Sequence, residues 1–107
     1  MIKAKYKKIS AERAKNMMDE GKPYIVLDVR TPEEFNERHI KGAKLIPDYE
    51  IGNRFEFELP DKNAFIFVHC RGGSRSVKAA RQMIKMGYTN IYDMGGIIDW
   101  PYGTVKG

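Results

Sequence analysis

With 107 residues, 42% of them hydrophobic and 31% charged, the chain has the composition of an ordinary globular protein and the length for one core. No apolar run approaches the ~20 residues of a membrane span, and a single cysteine excludes an internal disulfide. A net charge of +5, spread through every segment, describes a solvated surface with a mild pull on anions and shows no nucleic-acid motif. The basic start, Met1 to Lys8, lacks the apolar stretch of a signal peptide. The expectation is therefore a cytoplasmic protein, one domain over residues 1–107 with 1–5 flexible, and neither nucleic acid nor membrane as partner.

In chain order, Tyr6-Lys7-Lys8-Ile9 reads as a short edge strand. Ser10 is an N-cap for a helix over residues 11–20 whose narrow apolar face is Ala11, Ala14, Met17 and Met18, stopped by Gly21 and Pro23. Tyr24 to Val29 is a nearly continuous apolar run, the pattern of a strand covered on both faces. Asp28 near its end needs partners if buried; His39, Arg75 and nearby backbone N–H groups are the candidates. Thr31-Pro32-Glu33-Glu34 combines a capping box with proline at the first helical position and starts a short helix that buries Phe35.

Leu45-Ile46-Pro47 suggests another short strand, and Ile51, Phe55 and Leu59 recur at intervals of four, predicting a helix that ends at Pro60. Val77, Ala79, Ala80, Met83, Ile84 and Met86 fill one half of a later helical wheel, and Lys78, Arg81, Gln82 and Lys85 the other, as in a helix lying on a sheet. Asn90 to Asp93 predicts a last strand, after which Gly95-Gly96 turns toward Ile97 and Trp100. Strands alternating with helices predict an α/β fold, a central and mostly parallel sheet of about five strands flanked by helices in three layers.

The chain is organised around Phe65 to Ser76, an apolar strand that stops at Cys70, passes through Gly72, Gly73 and Ser74 and enters a helical pattern. Backbone N–H groups at a helix start are unpaired and favour an anion, and here the group they would face is a thiol. Those of residues 71–75 are expected to form a nest around the sulfur, with Arg71 and Arg75 adding positive charge. This placement argues for a reactive thiolate over a buried structural cysteine.

In these residues the chain resembles a single-domain rhodanese, a sulfurtransferase, over roughly residues 8–100. The likeness rests on Leu27-Asp28-Val29-Arg30-Thr31-Pro32-Glu33-Glu34-Phe35, on His39-Ile40-Lys41-Gly42-Ala43 and on Cys70-Arg71-Gly72-Gly73-Ser74-Arg75-Ser76, completed by Gly87-Tyr88, Asn90-Ile91-Tyr92 and Gly95-Gly96-Ile97 with Trp100. It departs at Arg38, where the family usually has Gly.

The resemblance implies a small rhodanese-like fold and a transfer of sulfane sulfur through a Cys70 persulfide, from a donor such as thiosulfate to a thiol or protein acceptor, with no cofactor. It implies Cys70 as nucleophile and Arg30, Arg71, Gly72, Gly73, Ser74, Arg75 and Ser76 as donor-binding residues. The same fold is shared with phosphatases and arsenate reductases whose loop places five residues between Cys and Arg. Here four separate Cys70 from Arg75, the tighter loop associated with sulfur transfer. A non-catalytic interaction module is the other reading, against which the intact Cys70 loop speaks.

Other roles compete for several of these residues. Arg75 serves equally well as a structural tether to Asp28 or Glu34. His39 and His69 suit packing or hydrogen bonding better than base catalysis, and with one cysteine far away they make no metal site. Trp100 is expected in the core, and Lys78, Arg81 and Lys85 on a solvated face.

Overall fold

The computed structural model describes residues 5–107, with the Asn53 side chain left out. The expectation for residues 1–5 thus falls, except for Lys5, outside the described residues. The elements are β1 (Lys7–Lys8), α1 (Ala11–Met18), β2 (Ile25–Asp28), α2 (Pro32–Glu37), β3 (Lys44–Leu45), α3 (Ile51–Glu58), β4 (Ile66–Cys70), α4 (Ser74–Lys85) and β5 (Ile91–Gly96). Single 3-10 turns at Asp48–Glu50 and Ile97–Asp99 precede α3 and follow β5.

The five strands form one sheet in the order β1-β5-β4-β2-β3, every pair parallel. β4 therefore lies in the middle with all five of its residues buried, which is why its sequence is an apolar run rather than an alternating one. Alternation instead sorts its side chains between two cores. Ile66, Val68 and Cys70 join Leu27 and Val29 against Ile51 and Phe55 of α3 and Ala79, Ala80 and Met83 of α4. Phe67 and Val26 face the other way, onto Ala14 and Met18 of α1, with Ile40, Met94 and Ile97.

Local signals act as their chemistry dictates. Ser10 Oγ accepts the Arg13 N–H at 3.0 Å to start α1. Thr31 and Glu34 form the reciprocal capping box, with Pro32 in the first turn, an arrangement worth about 1 kcal/mol per cap. Two expectations need correction. Phe35 is only half-buried, because α2 is short and exposed and the ring stacks on the His39 imidazole at 3.9 Å instead. Gly95 and Gly96 do not turn away from the sheet; they belong to β5, which runs on to Gly96.

That extension is bulged. Val68 pairs with Asp93 but Cys70 with Gly96, so β5 carries an extra residue between the two pairs. Gly95 takes φ +81° there, and Asp93 Oδ1 accepts its N–H at 2.9 Å. The bulge brings Gly96 directly beneath the loop that follows Cys70. A Cβ at Gly96 would lie 2.8 Å from Gly72 Cα and 2.9 Å from the Arg71 carbonyl carbon, closer than side chains approach backbone.

Candidate active site

Cys70 is the last residue of the central strand and α4 begins four positions later, so the sulfur sits at the carboxyl edge of the sheet, where open α/β folds bind ligands. Its side chain is 1% exposed and points to the α4 side of the sheet. Gly73, the N-cap of α4, takes φ +111°, which a residue with a Cβ rarely adopts. In that conformation its N–H donates to Cys70 Sγ at 2.9 Å. Behind the sulfur, the fully buried Ser76 has its Oγ 3.6 Å from Sγ. The Ser76 hydroxyl donates to the Gly73 carbonyl at 3.1 Å, holding the turn closed.

The expected nest is thus narrower than the sequence suggested. Gly73 supplies the amide that reaches the sulfur. Arg71, Gly72 and Ser74 form an exposed rim above it. The Ile98 N–H donates to the Arg71 carbonyl at 3.4 Å, so the 3-10 turn after β5 holds the rim from the side.

Two of the three arginines nominated for the donor, Arg30 and Arg75, are tied to carboxylates. Arg75 makes a bidentate pair with Glu34, Nη1 to Oε1 at 2.7 Å and Nη2 to Oε2 at 2.9 Å. The Arg75 guanidinium holds the Glu34 carboxyl down at about 2. This is the tether reading of Arg75, with Glu34 rather than Asp28 as its anchor. Arg30 is 3% exposed and Asp28 fully buried. Arg30 Nε donates to Asp28 Oδ1 at 2.9 Å and Nη2 to Oδ2 at 2.7 Å, while Nη2 also donates to the Arg38 carbonyl at 2.7 Å. The structure does not present Arg30 to an incoming anion. The side chain turns inward because Asp28 and Arg30 share one face of an extended segment, two residues apart.

Asp28 therefore finds its partners in the Arg30 guanidinium and, at 3.0 Å, the Arg30 N–H; His39 and Arg75 lie elsewhere. Arg38 is extended, with φ −167°, a conformation open to any residue, which explains why a side chain is tolerated where glycine is usual. His39 Nδ1 meets the Phe35 carbonyl at 3.0 Å, and its backbone pairs with Val105. His69 is buried on the face opposite the sulfur. Its Nδ1 lies 3.1 Å from the Cys70 carbonyl, and its Nε2 is unpartnered, 3.6 Å from Asp28 Oδ2. Burial above all pushes the imidazole below its usual value, against the pull of Asp28. That keeps it neutral and unsuited to serve as an acid at the sulfur. Trp100 is half-buried, with Nε1 donating to the Gly103 carbonyl.

Sequence reasoning missed two supports of the site. The Asp28–Arg30 pair was legible as two opposite charges at strand spacing, and Gly96 was not legible at all, since its role depends on a bulge. Chemically, the corner offers a sulfur with one N–H aimed at it, under an exposed rim carrying Arg71, which has no ion pair among the described residues.

Comparison with known proteins places this geometry. Residues 10–101 match the Rhodanese-like domain. Thiosulfate sulfurtransferase PspE of Escherichia coli K12 is 38% identical over 81 residues, 76% of this chain and 78% of its own length. The putative sulfur carrier protein YrkF of Bacillus subtilis 168 is 38% identical over 93 residues, 86% of this chain, although the chain spans only 49% of that relative. A crystal structure of a rhodanese-like domain protein from Staphylococcus aureus, 34% identical, superposes with a TM-score of 0.81 over 94% of this chain and 98% of that one. With the family match spanning residues 10–101 and this level of identity over most of its length, the chain belongs to the rhodanese-like domain family.

Proposed function

We propose that the protein is a sulfurtransferase that moves sulfane sulfur from a donor such as thiosulfate to a thiophilic acceptor through a Cys70 persulfide. The observation that carries this reading is the Gly73 N–H aimed at Sγ from the N-cap of α4, 2.9 Å away. A donor N–H at a helix start favours the anionic sulfur that must act as nucleophile. In the first step the Cys70 thiolate attacks the outer sulfur of thiosulfate, the S–S bond of the donor breaks, and sulfite leaves with the electron pair. In the second step an acceptor nucleophile takes the outer sulfur of the persulfide, and Cys70 leaves as thiolate. Splitting the transfer in two is nucleophilic catalysis without need of a general base. Both steps conserve charge and need no cofactor or external oxidant.

In this reading Arg71 and the backbone of the exposed Gly72 and Ser74 meet the donor's anionic oxygens. Gly73 and Ser76 hold the sulfur, Arg75 anchors the loop through Glu34, and Arg30 acts through Asp28 rather than on the donor. A reducing, cytoplasmic setting suits a lone thiol. The thiosulfate sulfurtransferase named among the relatives supports the donor, and the sulfur carrier protein a protein acceptor.

Mass spectrometry after incubation with thiosulfate is expected to show one added sulfur on Cys70, absent in Cys70→Ser. An unmodified protein across a panel of sulfane donors would overturn the proposal. One observation favours a second reading, the non-catalytic interaction module: the sulfur is 1% exposed and packed among core residues. Rate measurements separate the two. An enzyme gains the persulfide within seconds to minutes, whereas a sealed structural thiol stays unmodified under native conditions and reacts only after unfolding.

A further inference from the structure

We infer that the outer face of α4, together with Arg71 and Ile98, is a docking surface for an acidic protein acceptor that collects sulfur from Cys70. The inference rests on the persulfide reading above and names the acceptor's chemistry.

Lys78, Arg81 and Lys85 are all exposed. At 100° per residue they fall within an arc of about 60°, and Ser74 at the edge of the Cys70 loop falls within the same arc. The stripe therefore starts at the sulfur's rim and runs the length of a 12-residue helix, about 18 Å. α4 contains no acidic residue. Among the described residues, neither these three cations nor Arg71 has an ion-pair partner.

Of the acids on the neighbouring α3 and the turn before it, Asp48 has no ion pair among the described residues and acts on Arg75 at the first turn of α4, while the others are engaged away from the stripe. Glu50 and Glu58 hold Arg54, Glu58 also holds Lys44, and Glu56 holds Lys62. The contrast is one of placement: α3 carries both signs, while α4 pairs Arg75 with Glu34 and leaves Lys78, Arg81 and Lys85 open.

Beside the head of the stripe stands an apolar anchor. Ile98 is 60% exposed, and its backbone is hydrogen-bonded to Arg71 in the rim. An apolar contact at the reacting end with charge extending from it is the layout of an electrostatically steered protein interface. A dianion the size of thiosulfate touches only the rim and has no use for cations a helix length away. A protein whose acidic face lies along α4 would bring a thiol to the persulfide. That thiolate would bond to the outer sulfur as the bond to Cys70 breaks and leave as the new persulfide.

The probes are two synthetic helical peptides, each ending in one cysteine, one with Glu along a single face and the other with Gln at the same positions. With persulfidated protein at low salt, the Glu peptide is expected to accept sulfur with kcat/KM about tenfold above the Gln peptide. At ~1 M salt, where the Debye length is ~3 Å, the two should converge. The K78E/R81E/K85E variant should reverse the preference yet keep the wild-type rate of sulfur transfer from thiosulfate to cyanide. Equal rates for the two peptides at low salt, or a triple variant that slows cyanide turnover as much as peptide turnover, would overturn the inference. Fluorescence anisotropy with labelled peptides ending in serine reads docking without any sulfur chemistry. Tighter binding of the Glu peptide supports the surface, and equal binding overturns it, even if no persulfide forms.

Discussion

Two arginine–carboxylate pairs flank the Cys70 corner, and they differ in where water is. Asp28–Arg30 is sealed beneath the sheet's edge, with both side chains 4% exposed or less. Arg75–Glu34 sits at the surface, 28% and 24% exposed, and joins α4 to α2. Both have fork geometry with comparable distances. Their consequences for stability diverge because the buried pair has lost its hydration and the outer one has not. A sequence motif that nominates arginines for an anion site does not distinguish these situations; burial does.

The largest effect should come from breaking the buried pair on one side only. Arg30→Ala leaves the Asp28 carboxylate buried without its cation, and urea denaturation should show a loss of about 3–5 kcal/mol. Replacing both partners, as in D28L/R30M, should cost far less. If the double variant is as unstable as Arg30→Ala, the pair itself is not the cause. Next, Arg75→Ala should lower stability by only about 0.5–1.5 kcal/mol, given the pair's exposure. Its larger consequence should be on the rate of persulfide formation, since Arg75 anchors the first turn of α4. Persulfide rates equal to wild type would reduce Arg75 to a surface ion pair.

Acid titration sharpens the same contrast. Glu34 has a folded-state value of about 2 against an ordinary 4.5. A depressed carboxyl contributes its stability above pH 4.5, and that contribution is lost as the pH falls from there toward about 2. Denaturation curves across this window should slope down more steeply for the wild type than for Glu34→Gln, and parallel slopes would refute the linkage. Smallest in stability terms is Arg71→Ala, at an exposed position with no ion pair among the described residues. Its melting temperature should match wild type while the KM for thiosulfate rises about fivefold, the value of one exposed charge contact of ~1 kcal/mol. An unchanged KM would leave the donor to the loop N–H groups alone.

Much of this molecule is legible in its sequence because period and capping are local. The apolar run of β4, the capping box at Thr31 and the two-sided wheel of α4 each declare their element within a dozen residues. Cys70 could be singled out for the same reason, since strand, glycines and helix entry are adjacent along the chain. What escaped reading depends on contacts across the sheet. Arg30 reads as an end-of-strand cation until the depth of Asp28 is known. The last strand seemed to end at Asp93 because Gly95-Gly96 resembles a turn; only its pairing with Cys70 shows that those glycines continue the sheet. The anion nest was overdrawn for a related reason: the sequence shows how many N–H groups a loop contains, but not which way each peptide plane faces.

The close approach of Gly96 to Arg71 and Gly72 has a mechanical consequence. β5 acts as a floor under the loop that follows Cys70, with no room for even a methyl group between them, so any side chain at Gly96 would have to displace that loop or the strand itself.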